Sequence, residues 1–370
     1  MDKKIGIREL AERAKAEGAY DLAQGVIDAA PPRALMAALK GLELDKVSTY
    51  NNKRGVKEYR EAIVGYLDSR GWKVAFDQVM AIAGANGGAA SALLTDLRPG
   101  AKVLLPEPFF VYHRLLFETL GFEIEFVKAP LDKQPDWDEI AEKMKGVDAA
   151  VITTPANPTG QVASIEVLKS LSEAAAKHDC LLLIDEMYRE FIWDSPPKDD
   201  SSYDKLNFEK TVLLRSWSKV YCVPGWRVGF AVTSPERVEE MAARHDALYI
   251  GGSTIAQHAL AVALRDNLEE LNEYVVDLRE MLRSNMKILS EAFADYGFTP
   301  LPVKATYYMM LKHNKGSDMA VVEELIKKKV VTTPGNILYA DSSKDTGYIR
   351  IHFAVADGVA ERVATQLRSG

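Results

Sequence analysis

Short apolar runs alternate with helix-periodic stretches along this 370-residue chain from about residue 79 onward, a pattern that few architectures accommodate. Val79-Met80-Ala81-Ile82-Ala83 ends at Gly84, and Ala90, Leu93, Leu94 and Leu97 follow at helical spacing until Arg98-Pro99-Gly100 stops the helix. The unit recurs in Lys102-Val103-Leu104-Leu105 before Tyr112 to Leu120, and in Ala149-Ala150-Val151-Ile152 before Val167 to Lys177. Leu181-Leu182-Leu183-Ile184 closes on Asp185-Glu186, and Val212-Leu213-Leu214 and Val228 to Val232 add two further runs. Strands that are apolar throughout are buried on both faces, so the pattern predicts an α/β fold with a mainly parallel sheet covered by helices.

After Ser253 the pattern changes. One helical stretch from Thr254 to about Tyr296 meets no proline, and a segment of that length is expected to bridge two bodies. Beyond it, Ala305 to Leu311 and Tyr348 to Phe353 read as strands, with Met319 to Lys329 helical between them. The expected division is a large domain over residues 41–275 and a smaller, discontinuous α+β domain from residues 1–40 and 276–370.

Composition narrows the function classes. With 47% hydrophobic and 27% charged residues the chain has the makings of a core rather than of a disordered segment. A net charge of -7 argues against nucleic acid, and the short run Lys327-Lys328-Lys329 reads as the polar face of a helix. No stretch approaches the roughly 20 apolar residues of a membrane span, and the first thirty residues hold no apolar signal core. Cys180 and Cys222 lie in apolar sequence without CxxC spacing and read as reduced, so a soluble, cytoplasmic protein is expected. The six histidines form no HxxxH or HxxEH pattern, and no metal site is expected.

Ligands of parallel sheets sit at the carboxyl ends of the strands, and the residues there are unusual. Gly84-Ala85-Asn86-Gly87-Gly88 feeds directly into a helix, either as a plain turn or as a cradle of N–H groups for a phosphate. Pro106-Glu107-Pro108-Phe109-Phe110 fixes the backbone and presents an aromatic, and Thr153-Thr154-Pro155-Ala156-Asn157-Pro158 pins an asparagine between X-Pro steps. Asp185 ends a hydrophobic strand, where a carboxylate is costly unless a cation or strong donors meet it. Lys219 stands among Ser216, Ser218 and Arg227. It is either a snorkelling surface lysine or an amine whose apolar, cationic surroundings make it a nucleophile and base.

Taken together, Ser216-Trp217-Ser218-Lys219 with Arg227 eight residues on, Asn157-Pro158-Thr159-Gly160, Asp185-x-x-Tyr188, Gly84-Ala85-Asn86 and the late Tyr348-x-Arg350 form an ordered set. In order and spacing the chain resembles the class I/II aminotransferases, fold type I enzymes dependent on pyridoxal phosphate. The likeness runs from Asp21-Leu22-Ala23-Gln24-Gly25 to the last helix. It implies a seven-stranded type of sheet and a Schiff base between Lys219 and the cofactor aldehyde, with Lys219 then serving as the base of a 1,3-proton shift. By the same resemblance Asp185 faces the pyridine nitrogen, Tyr188 and Asn157 donate to the 3′ oxygen, and Phe110 stacks on the ring. Ser216, Ser218, Arg227, Ala85 and Asn86 would hold the phosphate. Tyr50 would reach the phosphate of a neighbouring subunit, which implies a homodimer with shared sites. Arg350 would bind the substrate α-carboxylate, and the backbone of Gly25 would meet the substrate alongside Asn157.

Departures from the family pattern fall where substrate is read. Leu301-Pro302-Val303-Lys304 lacks the glycine that usually follows the proline, and Pro334-Gly335-Asn336-Ile337-Leu338 lacks the usual phenylalanine-glycine pair. No second arginine for a distal carboxylate can be placed, although Arg54 and Arg189 stand near motif residues, while Tyr20, Ile27, Trp226, Tyr249 and Tyr307 are candidates for an apolar or aromatic pocket. The expected reaction is ping-pong transfer of an amino group between an L-amino acid and a 2-oxo acid, with glutamate and 2-oxoglutarate as one couple. The alternative is C–S β-elimination from cysteine conjugates. A cofactor-binding transcriptional regulator would carry a fused helix-turn-helix arm, whereas only about twenty residues precede the first family motif. A nicotinamide dehydrogenase would need a GxGxxG unit that the chain lacks.

Overall fold

The computed structural model describes residues 6–194 and 199–369. Its main sheet has seven strands in the order Val79–Ile82, Gly229–Val232, Thr211–Ser216, Leu181–Asp185, Ala149–Thr153, Lys102–Glu107 and Glu123–Lys128. Gly229–Val232 is antiparallel to both neighbours, and the remaining pairs are parallel. Successive residues of a strand point to opposite faces. Leu182 and Ile184 accordingly enter one apolar core, while Leu181 and Leu183 enter the core on the other side. Burial on both faces leaves polar side chains one place to go, the carboxyl edge. There Thr153 lies opposite Asp185, and Asp185 opposite Leu214.

A third core gathers around a four-stranded antiparallel sheet in which Tyr348–His352 pairs with Tyr308–Lys312 and with Thr333–Pro334. Residues 6–40 divide between cores: Leu10, Leu22 and Ile27 pack here, whereas Ala34, Leu35 and Ala38 pack against the large sheet's side. Tyr20–Asp21 forms a parallel pair with Val330–Val331, which launches residues 22–27 toward the carboxyl edge of the large sheet.

Three elements differ from the sequence expectation. The long helical stretch is broken: Thr254–Asp266 ends at Asn267, whose non-helical backbone (φ -136°, ψ 29°) separates it from a second helix, Leu268–Asp295. That second helix carries Leu271 in the first core and Leu278, Leu282 and Leu289 in the third. The strand expected from Ala305 starts only at Tyr308, because Thr306 takes a φ of 69° and gives its N–H to the Phe191 carbonyl at 2.9 Å. The helix expected from Met319 to Lys329 spans Asp318–Lys327, so two of the three lysines leave it: Lys328 is the C-cap and Lys329 has a φ of 59°.

Behind Asp185 lies a buried ion-pair cluster. The Arg215 guanidinium meets Glu186 at 2.9 Å and Asp200 at 2.8 Å, and Arg70 and Arg189 each reach Asp200 at 2.9 Å. Burial alone would raise the Asp200 carboxyl, but the three guanidinium groups outweigh it and hold it well below the usual range.

Two buried histidines serve as hydrogen-bond acceptors. His245 Nε2 accepts from the Ala83 N–H at 2.9 Å, and His352 Nδ1 accepts from the Ala354 N–H at 3.2 Å. Burial lowers the pKa of His245 to about 4; burial, then the charge of Arg350, lowers that of His352 to about 3. Both are neutral when folded and take up a proton near pH 6.5 when unfolded. Their contribution is therefore complete above that pH and is lost as pH falls toward their folded values, by up to about 1.4 kcal/mol per pH unit for each histidine. Urea unfolding midpoints should fall between about pH 7 and about pH 5, and His245→Gln should flatten the dependence. A midpoint unchanged over that range would contradict this assignment.

Candidate active site

Of the residues singled out in the sequence, Gly25, Ala85, Asn86, Phe110, Asn157, Asp185, Tyr188, Ser218, Lys219, Arg227 and Arg350 line one cavity of about 410 Å³. It lies at the carboxyl edge of the large sheet and is closed by residues from the small one. Ser216 and Tyr50 stand outside its wall. Ser216 instead caps the short helix Trp217–Val220: its Oγ accepts from the Ser218 N–H at 3.2 Å and donates to the Val228 carbonyl at 3.0 Å. Its contact with the cavity is indirect, through the Ser218 hydroxyl 3.0 Å away. Tyr50 is 80% exposed.

Lys219 follows directly from that cap, half-buried, with Nζ donating to the Gly25 carbonyl at 3.0 Å. The same carbonyl accepts from the Tyr307 hydroxyl at 3.1 Å. Gly25 must be glycine for this crossing, because a Cβ there would run into the Tyr308 hydroxyl.

Asp185 is 4% exposed and is answered from two sides. His113 Nε2 lies 3.2 Å from Oδ2, and the Met187 N–H donates to Oδ1 at 3.2 Å. His113 stands one turn beyond Phe110, at the start of helix Val111–Thr119, and packs edge-on against it at 5.3 Å. Sequence reasoning missed His113. The signal was its i+3 spacing from Phe110, which puts both on one helix face.

Arg350, 1% exposed, ties the two sheets together. One terminal nitrogen donates to Asn157 Oδ1 at 3.1 Å, and the other to the Ala23 carbonyl at 2.8 Å and to Thr333 Oγ1 at 3.3 Å. Its Nε is buried with no partner among the described residues. Burial lowers its pKa, yet a guanidinium stays protonated at any ordinary pH. Asn157 Nδ2 continues the chain to the Tyr188 hydroxyl at 3.4 Å. Burial pushes the Tyr188 phenol well above its ordinary value, so it is neutral and able to donate.

The far end of the cavity is an anion cradle. Helix Gly84–Asp96 starts with no side chain capping its first turn, which leaves N–H groups near Ala85 and Asn86 to meet a ligand at the positive end of the helix. Arg227 arrives in a left-handed conformation, φ 52°, with its guanidinium on the Pro224 carbonyl at 3.0 Å and the Ala83 carbonyl at 3.3 Å. Gly84 has a φ of 70°, and a Cβ there would stand 2.6 Å from the Arg227 guanidinium. An uncapped helix start, an arginine and the Ser218 hydroxyl are the donor set a phosphate monoester requires. The Lys219 amine and the buried Asp185 carboxylate stand on the same wall, so the residues present fit pyridoxal phosphate.

The expected side-chain pocket is not where the sequence put it. Tyr20, Ile27, Trp226, Tyr249 and Tyr307 are absent from the cavity wall, Tyr307 because it is fully buried beneath Gly25 and Trp226 because it packs on the large core. Arg54 is taken up by Glu239 and Arg189 by Asp200. The wall instead includes Arg8, Val26, Tyr112, Met187 and Tyr308.

Residues 16–367 match the family described as aminotransferase class I and II. The chain is 30% identical to an aspartate aminotransferase of Pyrococcus horikoshii over 96% of this chain and 91% of that protein. It is 30% identical to aromatic-amino-acid aminotransferase 2 of Thermococcus litoralis over 95% and 91%. Its fold is that of the Escherichia coli protein YbdL, described as having a methionine aminotransferase function, with a TM-score of 0.88 at 24% identity, covering 99% and 98% of the two chains. The chain belongs to the class I and II aminotransferases and is a pyridoxal-phosphate-dependent transaminase acting on an amino acid and a 2-oxo acid.

Proposed function

We propose that transamination is carried out by Lys219 as the proton-moving base, with Asp185, Tyr188, Asn157 and Phe110 holding the cofactor ring. Ala85, Asn86, Ser218 and Arg227 hold the phosphate, and Ser216 orients Ser218. The observation that carries this reading is the convergence of one amine, one buried carboxylate and one uncapped helix start on a single cavity. Pyridoxal phosphate, when bound, supplies an aldehyde that captures amines and a conjugated ring that accepts an electron pair.

The protein's own part is proton placement and orientation. Asp185, fixed by His113 and by the Met187 N–H, presents a carboxylate to the ring nitrogen and favours its protonated form. Tyr188, a neutral phenol, donates to the 3′ oxygen beside Asn157. Lys219 Nζ, within reach of the Gly25 carbonyl, would take the proton from the substrate Cα and deliver it to C4′ of the cofactor. Arg350, with Nε unpartnered, holds the α-carboxylate at the boundary of the two sheets. The C–S lyase alternative gains no support from the relatives or from the cavity.

The active unit is a homodimer in this reading. Thr254 Oγ1 donates to the Thr49 carbonyl and accepts from Asn51, each at 3.1 Å, which holds the segment of the exposed Tyr50 against the segment that carries the exposed Ile250 and Ile255. An exposed phenol beside exposed aliphatic side chains suits a subunit contact. Cys180 and Cys222 are free and buried, which suits a reducing compartment, and we place the enzyme in the cytoplasm. No helix of the described residues is long and apolar enough to cross a membrane.

Two experiments test the proposal. A screen of amino donors against 2-oxo acids should give product 2-oxo acid only when an acceptor is supplied, whereas ammonia released without acceptor would favour the lyase. Mixing Lys219→Ala with Tyr50→Ala protein should recover up to about a quarter of wild-type activity, because half of the dimers are hybrids and each hybrid has one intact site. No recovery, with subunit exchange demonstrated, would refute the shared site.

A further inference from the structure

We propose that Asp318 is a positioning residue for the cofactor: its carboxylate closes the neck of an arm, residues 335–347, that leaves the small sheet and grips the turn carrying Phe110 and His113 at the edge of the large one. The inference rests on the assignment of Phe110 to the cofactor ring and of His113 to Asp185, and adds to them a residue outside the cavity wall.

Asp318 opens the helix Asp318–Lys327, and its side chain is fully buried. A carboxylate so placed is costly unless donors surround it, and five polar contacts do. Oδ2 accepts from the Asn336 N–H at 3.0 Å, from the Thr346 N–H at 2.9 Å and from the Thr346 hydroxyl at 2.7 Å. Oδ1 accepts from the Gly347 N–H at 3.0 Å and lies 3.1 Å from His313 Nε2. Four of these contacts come from the two ends of one segment. Asn336 stands just beyond strand Thr333–Pro334, while Thr346 and Gly347 lead into strand Tyr348–His352, its antiparallel partner. The carboxylate therefore clasps the arm where it leaves the sheet and where it rejoins it. Gly335 fits the same neck, because a Cβ there would run into the Thr346 hydroxyl and the Tyr348 carbonyl.

The far end of the arm crosses to the large sheet. The Leu338 carbonyl accepts from the Phe109 N–H at 2.9 Å, the Ala340 N–H donates to Glu107 at 2.8 Å, and Arg114 donates to the Ala340 carbonyl at 3.0 Å. Glu107 ends strand Lys102–Glu107 and Arg114 lies in the first turn of helix Val111–Thr119, so these contacts bracket Phe110 and His113 in sequence. Phe110 and His113 line the cavity, whereas Asp318, Asn336, Leu338 and Ala340 do not. The turn thus takes its position from both sheets. An arm closed at its neck has few conformations to lose when its tip docks, and an open neck would make the same docking costlier. Ring stacking by Phe110 and the 3.2 Å contact of His113 with Asp185 both depend on where that turn sits.

The test measures cofactor affinity of the holoenzymes through the loss of bound-cofactor absorbance and induced circular dichroism on dilution. Asp318→Asn sets an amide against N–H donors, Thr346→Val removes one contact at the neck, and Arg114→Gln loosens the tip without touching the neck. Each should weaken cofactor binding roughly threefold to thirtyfold and shift the pH midpoint of the bound-cofactor absorbance. Thr346→Val combined with Arg114→Gln should bind no more weakly than the worse single variant, because both losses act through one arm. Asn285→Ala, which removes buried hydrogen bonds to the Phe353 and Val355 carbonyls in the same small domain, should lower stability and leave affinity unchanged. Wild-type affinity in Thr346→Val and Arg114→Gln, losses that multiply in the double variant, or an equal loss in Asn285→Ala would overturn the role of Asp318, even where Asp318→Asn fails to fold. Unchanged affinity in Phe110→Ala, beside losses in the neck and tip variants, would instead overturn the assignment of Phe110 beneath it.

Discussion

A carboxylate at the end of a strand buried on both faces has to be answered by the protein, and much of this structure is arranged around that demand. Asp185 is 4% exposed at the carboxyl end of a strand whose other residues are apolar. His113 and the Met187 N–H meet it directly. Its neighbour Glu186 is met by Arg215, which also holds Asp200 against Arg70 and Arg189. The cluster fixes the segment after Asp185 from below, so that Tyr188 and its hydrogen bond to Asn157 stand above it. Charges buried in this way stabilise little in net terms, but removing one partner leaves another uncompensated. Their use here is to fix geometry.

The second dependence is between the two sheets. Arg350 belongs to the small antiparallel sheet, yet its guanidinium reaches Asn157 at the edge of the large one. Lys219 belongs to the large sheet's edge, yet its amine rests on Gly25, in the segment that leaves the parallel pair at Tyr20–Asp21. Each contact crosses the same gap, which is the cavity. Helix Leu268–Asp295 joins the two bodies by placing Leu271 in one core and Leu278 in the other. A shift of the small sheet would therefore move the Arg350 guanidinium and the acceptor of the lysine together.

The sequence made the large sheet legible because burial on both faces leaves uninterrupted apolar runs, and strand ends could then be read for chemistry. The edge strand Glu123–Lys128 was passed over, since its glutamates alternate with Ile124 and Phe126 and leave no uninterrupted apolar run. Lys219, Asp185, Asn157 and Arg227 were readable because each follows a recognisable run or proline step. His113 and Arg8 were not, because a lone histidine or arginine on a helix carries no local signal until tertiary packing turns it toward a site. For the same reason Trp226 and Tyr307 read as pocket residues, whereas Tyr307 packs in the third core and Trp226, partly buried, packs against the first. The hydroxyl of Ser216 read as a ligand group and is spent on a helix cap and the Val228 carbonyl.

In the proposed mechanism one amine, Lys219 Nζ, carries the cofactor. Borohydride reduction of the purified holoenzyme, followed by tryptic mapping, measures it directly. A single cofactor-bearing peptide spanning residues 216–227, uncleaved at Lys219, is expected. Label on another lysine, or bound cofactor that reduction does not fix to the chain, would contradict it.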